Sequence, residues 1–320
     1  MSAHDHQHGL GGERHASSGH QHASPPAGFD SAFAIGSALN AAFVVAEVIY
    51  GLTANSVALL ADAAHNLGDV LGLLLAWLAV WLGRRAPTAT RTYGYGRSSI
   101  LASLTNAVVL LVGVGGITVE AGRRLVEGVS VADGGGETVM VVAAVGIAVN
   151  GVTAMLFARG RKGDMNVKGA FLHMASDAAV SAGVVISGLI IFLSGWAWLD
   201  PVTSLIIAAL ILVSTWGLLR DSVNLALDKV PEGIDVSEVQ TFLASFPGVT
   251  EVHDLHIWPL STTDTALTVH LVLPDTDYDD DFLHDVMAEL ETHFGIGHAT
   301  VQIERGDAAK PCQLAPTHVV

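Results

Sequence analysis

The sequence predicts a mainly α membrane protein in which six transmembrane helices are followed by a small cytoplasmic α/β domain. The composition is the first observation: 51% of the 320 residues are hydrophobic and only 14% are charged, which is more apolar than an ordinary soluble protein. The second is the placement of charge. From residue 221 onward there are 18 acidic and 3 basic residues, whereas the preceding part is almost neutral. A membrane-embedded part therefore precedes an acidic soluble part.

Six apolar runs define the membrane domain, for which we predict residues 31–220. Each run has about 20 residues or more, the length that a helix needs to cross the hydrocarbon core. The links between the first and second runs and between the fifth and sixth are short, so each of these pairs forms an antiparallel hairpin. The runs are residues 31–52, 56–83, 99–122, 138–159, 167–195 and 199–219.

Basic residues concentrate in the loops after the second and fourth runs, which predicts that these loops are cytoplasmic. The loops after the first and fifth runs have none, and the loop after the third has only Arg123 and Arg124, beside several acidic residues. Both termini are therefore expected in the cytoplasm, with the protein in the inner (cytoplasmic) membrane. The basic residues of the two cytoplasmic loops are Arg84, Arg85, Arg91, Arg97, Arg159, Arg161, Lys162 and Lys168.

Two polar tails flank the folded parts. Residues 1–30 hold six of the fifteen histidines, and their composition predicts a disordered segment. We interpret it as a loose metal-collecting tail; an expression tag is the alternative, although the irregular histidine spacing is unlike one. Residues 307–320 are also predicted to be disordered. They contain Cys312, the only cysteine, which rules out an internal disulfide framework.

Residues 221–306 are predicted to form the small α/β domain. Its second helix carries an apolar stripe at helical spacing, and acidic residues precede its start. The order α-β-β-α-β favours a two-layer sandwich with both helices on one face of the sheet. The expected elements are a helix at 236–246, strands at 252–258 and 265–273, a helix at 282–294 and a strand at 299–305.

Two of the apolar runs carry ionisable residues at membrane depth. His65 and Asp69 are one helical turn apart in the second run, and His173 and Asp177 repeat this His-x-x-x-Asp spacing in the fifth. An ionisable group in hydrocarbon costs about 2.5–3.5 kcal/mol unless it is paired or hydrated. A polar seam between helices would explain one pair, but two pairs supply two imidazoles and two carboxylates, a set that a tetrahedral divalent ion such as zinc accepts. Asp62 either orients His65 or packs between helices.

The soluble domain carries a second set of candidate ligands. Side chains alternate along a strand, so His270, His298 and Glu304 are expected on one face of the sheet. The same alternation places His256 on that face and His253 on the other. Two or three histidines and a carboxylate on one sheet face can bind a metal ion, whereas an ordinary solvated surface is the alternative interpretation.

Together these features resemble the cation diffusion facilitator family of divalent metal/proton antiporters, specifically its zinc-transporting branch. The resemblance covers about residues 30–305. It rests on the two His-x-x-x-Asp pairs within six spans, on the segment Thr92-Tyr93-Gly94-Tyr95-Gly96-Arg97, and on His253-Asp254-Leu255-His256-Ile257-Trp258 in an acidic cytoplasmic domain.

The resemblance implies a homodimer that exports zinc in exchange for protons by alternating access. Zinc is the first choice of substrate because family members with a histidine at the position of His65 are zinc-selective over cadmium; cadmium and cobalt are further candidates. The resemblance also implies that Arg97 pairs with Asp228 to lock the dimer. The implied ligands of the transported ion are His65, Asp69, His173 and Asp177.

For the cytoplasmic domain the resemblance implies a zinc site between subunits, so that zinc is a regulator as well as a substrate. The resemblance favours His253 as a ligand where alternation favours His256; a bulge in the strand would reverse the alternation. The implied ligands are His253, His270, His284 and Glu304, with His298 as an addition.

Two departures from the family pattern concern single residues. Ser99 stands two residues after Arg97, where the family often has a glutamate. Cys312 has no second cysteine beside it, so a paired-cysteine metal site in the tail is not expected.

Other functions are disfavoured by the sequence. An acidic surface argues against nucleic acid, so the expected partners are a second copy of the chain, membrane lipid, divalent metal ions and protons. We expect no enzyme, because an intramembrane metallohydrolase needs a general base, and Asn66 stands where the His-Glu-x-x-His signature has its glutamate. The remaining alternative is a membrane-anchored zinc sensor without transport, although an anchor needs no ionisable pairs in two spans.

Overall fold

The computed structural model describes residues 29–128, 135–158, 165–274, 279–307 and 312–315. Residues 1–28 of the predicted histidine-rich tail lie outside this range, as do the basic residues Arg159, Arg161 and Lys162. The chain begins with long helices: α1 (Phe29–Thr53), α2 (Val57–Gly83), α3 (Ser98–Glu127), α4 (Gly135–Ala158), α5 (Met165–Ser194) and α6 (Leu199–Ala226).

The helices α2 to α6 are each long and apolar enough to cross a membrane. Helix α1 contributes a shorter apolar segment, Ser37–Thr53. Five such helices make the protein a multi-pass integral membrane protein. Among the described residues, length and composition therefore identify five of the six predicted spans.

Helices α4 and α5 approach each other at two glycines, Gly136 and Gly188. A Cβ atom on Gly188 would lie 2.9 Å from the backbone nitrogen of Met140 and 3.1 Å from the carbonyl oxygen of Gly136. Only a hydrogen atom fits in this space. Small residues let membrane helices pack backbone against backbone, and this contact fixes the position of α5, which carries His173 and Asp177.

A side chain of α6 holds the first turn of α2. The carboxylate of Asp200 accepts a hydrogen bond from the backbone N–H of Val57 at 2.7 Å and another from the hydroxyl of Ser56, the N-cap residue. The first N–H groups of a helix lack partners within the helix and create a positive potential, so a buried carboxylate is stabilised there. This contact fixes α6 against α2, the helix of His65 and Asp69.

Arg123 and Arg124, the exceptions to the charge bias, are neutralised by neighbouring groups. Arg123 contacts Glu120 and Glu127 of its own helix. Arg124 also contacts Glu120, and its guanidinium donates to the side chain of Asn55 at 2.7 Å. Their positive charges are therefore locally compensated.

The C-terminal part is a small α/β domain with a three-stranded sheet. Strand β2 is central, antiparallel to β1 and parallel to β3. The predicted α-β-β-α-β order is confirmed, and Asp235 and Asp279 cap the two helices. Hydrogen bonds from Ser237 hold the pKa of the Asp235 carboxyl below its usual value. The elements are α7 (Val236–Ala244), β1 (Glu251–Pro259), β2 (Thr265–Val272), α8 (Asp280–Phe294) and β3 (His298–Glu304).

One face of this sheet forms the domain core and the other carries the polar side chains. Leu267 and Leu271 of β2 pack against Leu243 of α7 and Leu290 of α8. Because successive side chains of a strand point to opposite faces, His270 lies on the face away from both helices. A metal site on that face is therefore separated from the helices by the sheet.

Strand β1 contains a β-bulge that changes which histidine faces His270. His253 lies opposite His270, but His256 lies opposite Thr268, so β1 has one more residue than β2 between the two pairs. The extra residue bends the strand, and Asp254 adopts a left-handed conformation with φ of 50°. The prediction that His253 lies on the opposite face is therefore wrong, because His253 is the direct neighbour of His270; His256, opposite Thr268, lies on the same face, as predicted.

Candidate functional site

The four ionisable residues of the two predicted pairs form one cluster between α2 and α5. The Nε2 atom of His65 is 3.1 Å from Oδ1 of Asp177, and Nε2 of His173 is 3.2 Å from Oδ2 of Asp69. The Nε2 atom of His173 is also 3.8 Å from Oδ2 of Asp177. Each histidine thus contacts an aspartate of the other helix, so both helices contribute to a single cluster.

The spacing and burial of these atoms suit a cation. Donor atoms of His65, Asp69 and Asp177 lie within 4.8 Å of one another. The side chain of Asp177 is 2% exposed, whereas that of His173 is 44% exposed, so the cluster has a closed side and an open side. Oδ2 of Asp69 and Oδ2 of Asp177 are buried, and among the described residues each faces Nε2 of His173, at 3.2 Å and 3.8 Å. A cation between the two carboxylates would balance their buried charge.

A second polar group lies next to the cluster. Asp62 is buried and accepts a hydrogen bond from Ser181 of α5 at 3.2 Å, and it interacts with His65 only through its charge. Glu47 of α1 is buried, accepts a hydrogen bond from Asn66 at 3.0 Å and interacts with the carboxyl group of Asp62. The sequence analysis assigned no role to Glu47, although a carboxylate within an apolar run could have indicated one.

The donor atoms of the membrane cluster suit a divalent cation. Two neutral imidazoles and two carboxylates carry a charge of −2, which a divalent ion neutralises, and four such donors are the usual number for zinc. Histidine and carboxylate ligands bind a metal ion only in their deprotonated forms, so protons compete with the metal for the same atoms.

A second cluster lies on the face of the C-terminal sheet that is not covered by α7 and α8. Donor atoms of His253, His270, Glu304 and Cys312 all lie within 4.8 Å of one another. The Nδ1 atom of His270 is 3.0 Å from Oε1 of Glu304 and 3.5 Å from Sγ of Cys312, and Nε2 of His253 is 3.5 Å from Oε2 of Glu304. The cluster borders a cavity of about 540 Å³. Sequence reasoning did not include Cys312, because no local pattern connects it to the strands.

The carboxylate and the thiol of this cluster affect each other's pKa. Burial raises the pKa of the Glu304 carboxyl, but hydrogen bonds from Cys312 and Gln302 and the two neighbouring histidines lower it by more, to below its ordinary value. The backbone N–H of Leu314 lowers the pKa of the Cys312 thiol, but the Glu304 carboxylate and burial raise it by more.

Asp254 holds the ring of His270 from the other side. An oxygen of Asp254 lies 3.4 Å from Nε2 of His270, and its second oxygen lies 3.0 Å from Nε2 of His256. A carboxylate on one ring nitrogen of a histidine fixes the ring and leaves the other nitrogen for a metal ion. The bulge in β1 thus has two consequences: it aligns His253 with His270, and it brings Asp254 close to Nε2 of His270.

The other two histidines implied for the cytoplasmic site lie elsewhere in this subunit. His298 is on the ligand-bearing face, but Gln302 is the residue opposite His270, so His298 lies about 13 Å further along β3 at ~3.3 Å per residue. Its ring contacts Tyr93 with a centroid distance of 5.4 Å. His284 is exposed on α8, in the helical layer across the sheet. Both remain predictions as ligands.

The C-terminal α/β domain contacts the start of α3. The Arg97 guanidinium donates to Oδ1 of Asp228 at 2.5 Å within one chain, with both side chains about half exposed. The hydroxyl of Ser99 accepts a hydrogen bond from the backbone N–H of Thr262 at 3.0 Å. A Cβ atom on Gly96 would lie 2.9 Å from the Leu260 carbonyl oxygen. The turn between β1 and β2 therefore packs closely against the segment Thr92–Arg97 that precedes α3.

Both parts of the chain match the profiles of one family. The cation efflux transmembrane domain matches residues 33–225, and the cytoplasmic domain of cation efflux proteins matches residues 231–306. The metal cation efflux system protein CzcD of Cupriavidus metallidurans is 36% identical over 308 residues, covering 94% of this chain and 96% of that protein.

Two further relatives are named for the ions that they carry. The zinc transporter ZitB of Escherichia coli is 36% identical over 284 residues, covering 88% of each chain. A cadmium, cobalt and zinc/H(+)-K(+) antiporter of Bacillus subtilis is 34% identical over 267 residues, covering 82% of this chain and 85% of that one. These relatives are transporters of metal cations, which supports transport rather than catalysis. The chain belongs to the cation diffusion facilitator family, in its zinc-transporting branch.

Proposed function

We propose that this protein exports zinc across the inner membrane in exchange for protons. The proposal rests on one observation above all: two imidazoles and two carboxylates from α2 and α5 form a single cluster, in which Asp177 contacts both histidines. The names of the relatives support zinc as the first substrate, with cadmium and cobalt as further candidates.

The proposed cycle is alternating access around this cluster. With the site open to the cytoplasm, His65, Asp69, His173 and Asp177 lose protons and bind zinc. With the site open to the outside, protons displace the metal from the same atoms. Unperturbed imidazoles titrate near pH 6.5, so a modest difference in pH between the two sides suffices to change the occupancy.

The proposed membrane topology has six spans with both termini in the cytoplasm. Helix α1 would be the additional span: its described apolar segment is short, but the whole helix has 25 residues, about 37 Å at 1.5 Å per residue. Its buried Glu47 accepts a hydrogen bond from Asn66 of α2, which supports packing of α1 beside the other spans.

We further propose a homodimer whose cytoplasmic domains sense metal. The match to the cytoplasmic domain of the family, a dimerisation domain, supports the dimer. Acidic domains repel each other, and a bound cation reduces that repulsion. The ion pair between Arg97 and Asp228 would hold the domain against the foot of α3, so that movement of the domain reaches the helices.

Zinc flux in liposomes tests the transport proposal. The purified protein is reconstituted, a pH gradient is imposed, and zinc movement is followed with an internal fluorescent indicator. We expect flux that follows the gradient and is abolished in Asp69→Ala. The matched control is Ser176→Ala, because Ser176 is exposed on α5 and its hydroxyl donates to the Leu172 carbonyl of its own helix. Wild-type flux in Asp69→Ala would refute the proposed site.

The alternative function, a membrane-anchored zinc sensor without transport, is favoured by the complete cytoplasmic cluster within one subunit. The same liposomes separate the two functions. A sensor would bind zinc in the cytoplasmic domain but show no flux under any pH gradient.

A further inference from the structure

We infer that Cys312 is the fourth ligand of the cytoplasmic metal site, so that one subunit supplies a complete donor set of two imidazoles, one carboxylate and one thiolate. This inference deepens the sensing role proposed above and rests on that part of the proposed function. It differs from a site that is open until a partner subunit arrives.

The positions of the four donors carry the inference. They come from three strands and a C-terminal turn: His253 on β1, His270 on β2, Glu304 at the end of β3, and Cys312 in the described segment 312–315. One donor atom of each lies within 4.8 Å of the others. Four donors converging from four separate segments leave a central position for one ion.

A second observation is independent of the cysteine. The side chain of His253 is only 7% exposed, and among the described residues neither ring nitrogen makes a well-formed hydrogen bond, although Nδ1 lies 3.2 Å from Oε1 of the exposed Glu251. A buried polar group without a well-formed hydrogen bond is unfavourable. The Nε2 atom of His253 faces Glu304 across 3.5 Å, and a cation bound between the two groups would satisfy both.

The ring orientation of His270 agrees with the same ion position. Asp254 lies beside its Nε2 atom, so Nδ1 faces Glu304 and Cys312. When a divalent ion binds, the thiol proton leaves to solvent and a sulfur–metal bond forms, without any change in oxidation state. A set of two nitrogens, one oxygen and one sulfur favours zinc, cadmium or cobalt over magnesium, calcium or manganese.

The consequence for the protein is a closed, four-ligand site that binds the C-terminal segment to the edge of the sheet. Closed sites of this kind stabilise the structure around them. Zinc would then order residues 312–315 against β3 in each subunit.

Cobalt spectroscopy on the full-length protein in detergent tests the inference. A thiolate bound to cobalt(II) gives a charge-transfer absorption in the near ultraviolet, and Cys312 is the only cysteine of the chain. We expect this band in the wild-type protein and in Asp69→Ala, in which the membrane site is disabled, and its loss in Cys312→Ser. Absence of the band from the wild-type protein at saturating cobalt would overturn the inference.

Zinc affinity separates Cys312 from the competing fourth ligand, His284. In competition with a chelator, Cys312→Ser should weaken the cytoplasmic site by roughly tenfold or more, since changing even a residue that only supports a ligand costs 10–100-fold. His284→Ala should leave the affinity of this site unchanged. The reverse pattern would show that His284 completes the site and would refute the role of Cys312.

Alkylation gives a measurement that needs no variant. Zinc should slow the reaction of Cys312 with N-ethylmaleimide in the wild-type protein, because a metal-bound thiolate is a poor nucleophile, and an unchanged rate would contradict the inference. The cobalt absorption and the alkylation rate are both measured without any zinc transport. Loss of zinc flux with an intact cobalt band would refute the transport proposal alone.

Mixed dimers distinguish a ligand from the same subunit from a ligand of the partner. Dimers that combine a Cys312→Ser subunit with a His270→Asn subunit contain no complete site if each subunit uses its own cysteine. We therefore expect no cobalt band from the mixed dimer. A band in the mixed dimer would show that the cysteine crosses to the partner and would overturn the single-subunit site.

Discussion

Replacing Asp177 by asparagine is the sharpest test of how the membrane cluster binds its ion. Asp177 is the least exposed of the four residues, and its carboxylate lies within 4 Å of both histidines, 3.1 Å from His65 and 3.8 Å from His173. Asparagine keeps the shape of the side chain and one oxygen but removes its charge. The four donors then carry a charge of −1 instead of −2 toward a divalent ion.

A minimum can be given for the loss of zinc affinity in Asp177→Asn. Residues that only support a ligand contribute about 10–100-fold to metal affinity, and Asp177 would contact the ion itself. The affinity should therefore fall by at least about 100-fold, which is about 2.7 kcal/mol at 1.36 kcal/mol for each factor of ten.

The assay is zinc flux in liposomes over a range of zinc concentrations. We expect the half-saturating concentration to rise by about the same factor of 100 in Asp177→Asn, on the lower bound for a lost ligand, and to be unchanged in the neighbouring control Ser176→Ala. A wild-type concentration dependence in Asp177→Asn would refute the reasoning, since the most buried carboxylate of the cluster would then make no contact with the ion.

Two further predictions concern the frame and the cytoplasmic cluster. Gly188→Ala should lower both the thermal stability of the protein in detergent and its zinc flux, because the new methyl group would lie 2.9 Å from the backbone of Met140. The control, Gly183→Ala on the same helix, places its methyl group more than 4 Å from any atom of the other helices and should be neutral. Equal melting temperatures for the two variants would contradict the close helix contact. Asp254→Asn should weaken zinc binding at the cytoplasmic site by roughly 10–100-fold, and asparagine tolerates the left-handed backbone of this position. Isothermal titration calorimetry measures the change in affinity, with Asp285→Asn as the control. An unaltered affinity in Asp254→Asn would show that Asp254 does not position His270.

Several features could be predicted from the sequence because they depend on neighbouring residues. The apolar runs set the long helices, since crossing a membrane requires about 20 apolar residues whatever surrounds them. The His-x-x-x-Asp spacing placed each histidine and aspartate on one helix face. Alternation and turn residues predicted the α-β-β-α-β order that the sheet confirms.

The bulge in β1 was beyond the reach of sequence periodicity. One extra residue reverses the alternation after it, and the sequence itself carries no mark of where a strand will be interrupted. Asp254, in its left-handed conformation, makes His253 and not His256 the neighbour of His270. The position of Cys312 was equally inaccessible, since it lies 42 residues from His270 along the chain.

By itself the sequence determined the types of residue available for binding a cation and the helices and strands that carry them, because both follow from local composition and spacing. Only the tertiary structure decided which of these residues meet. His65 and Asp177 are 112 residues apart, and their contact depends on how α2 and α5 pack within the whole bundle. Distances of this kind are set by the sum of many weak packing contacts, which no short stretch of sequence contains.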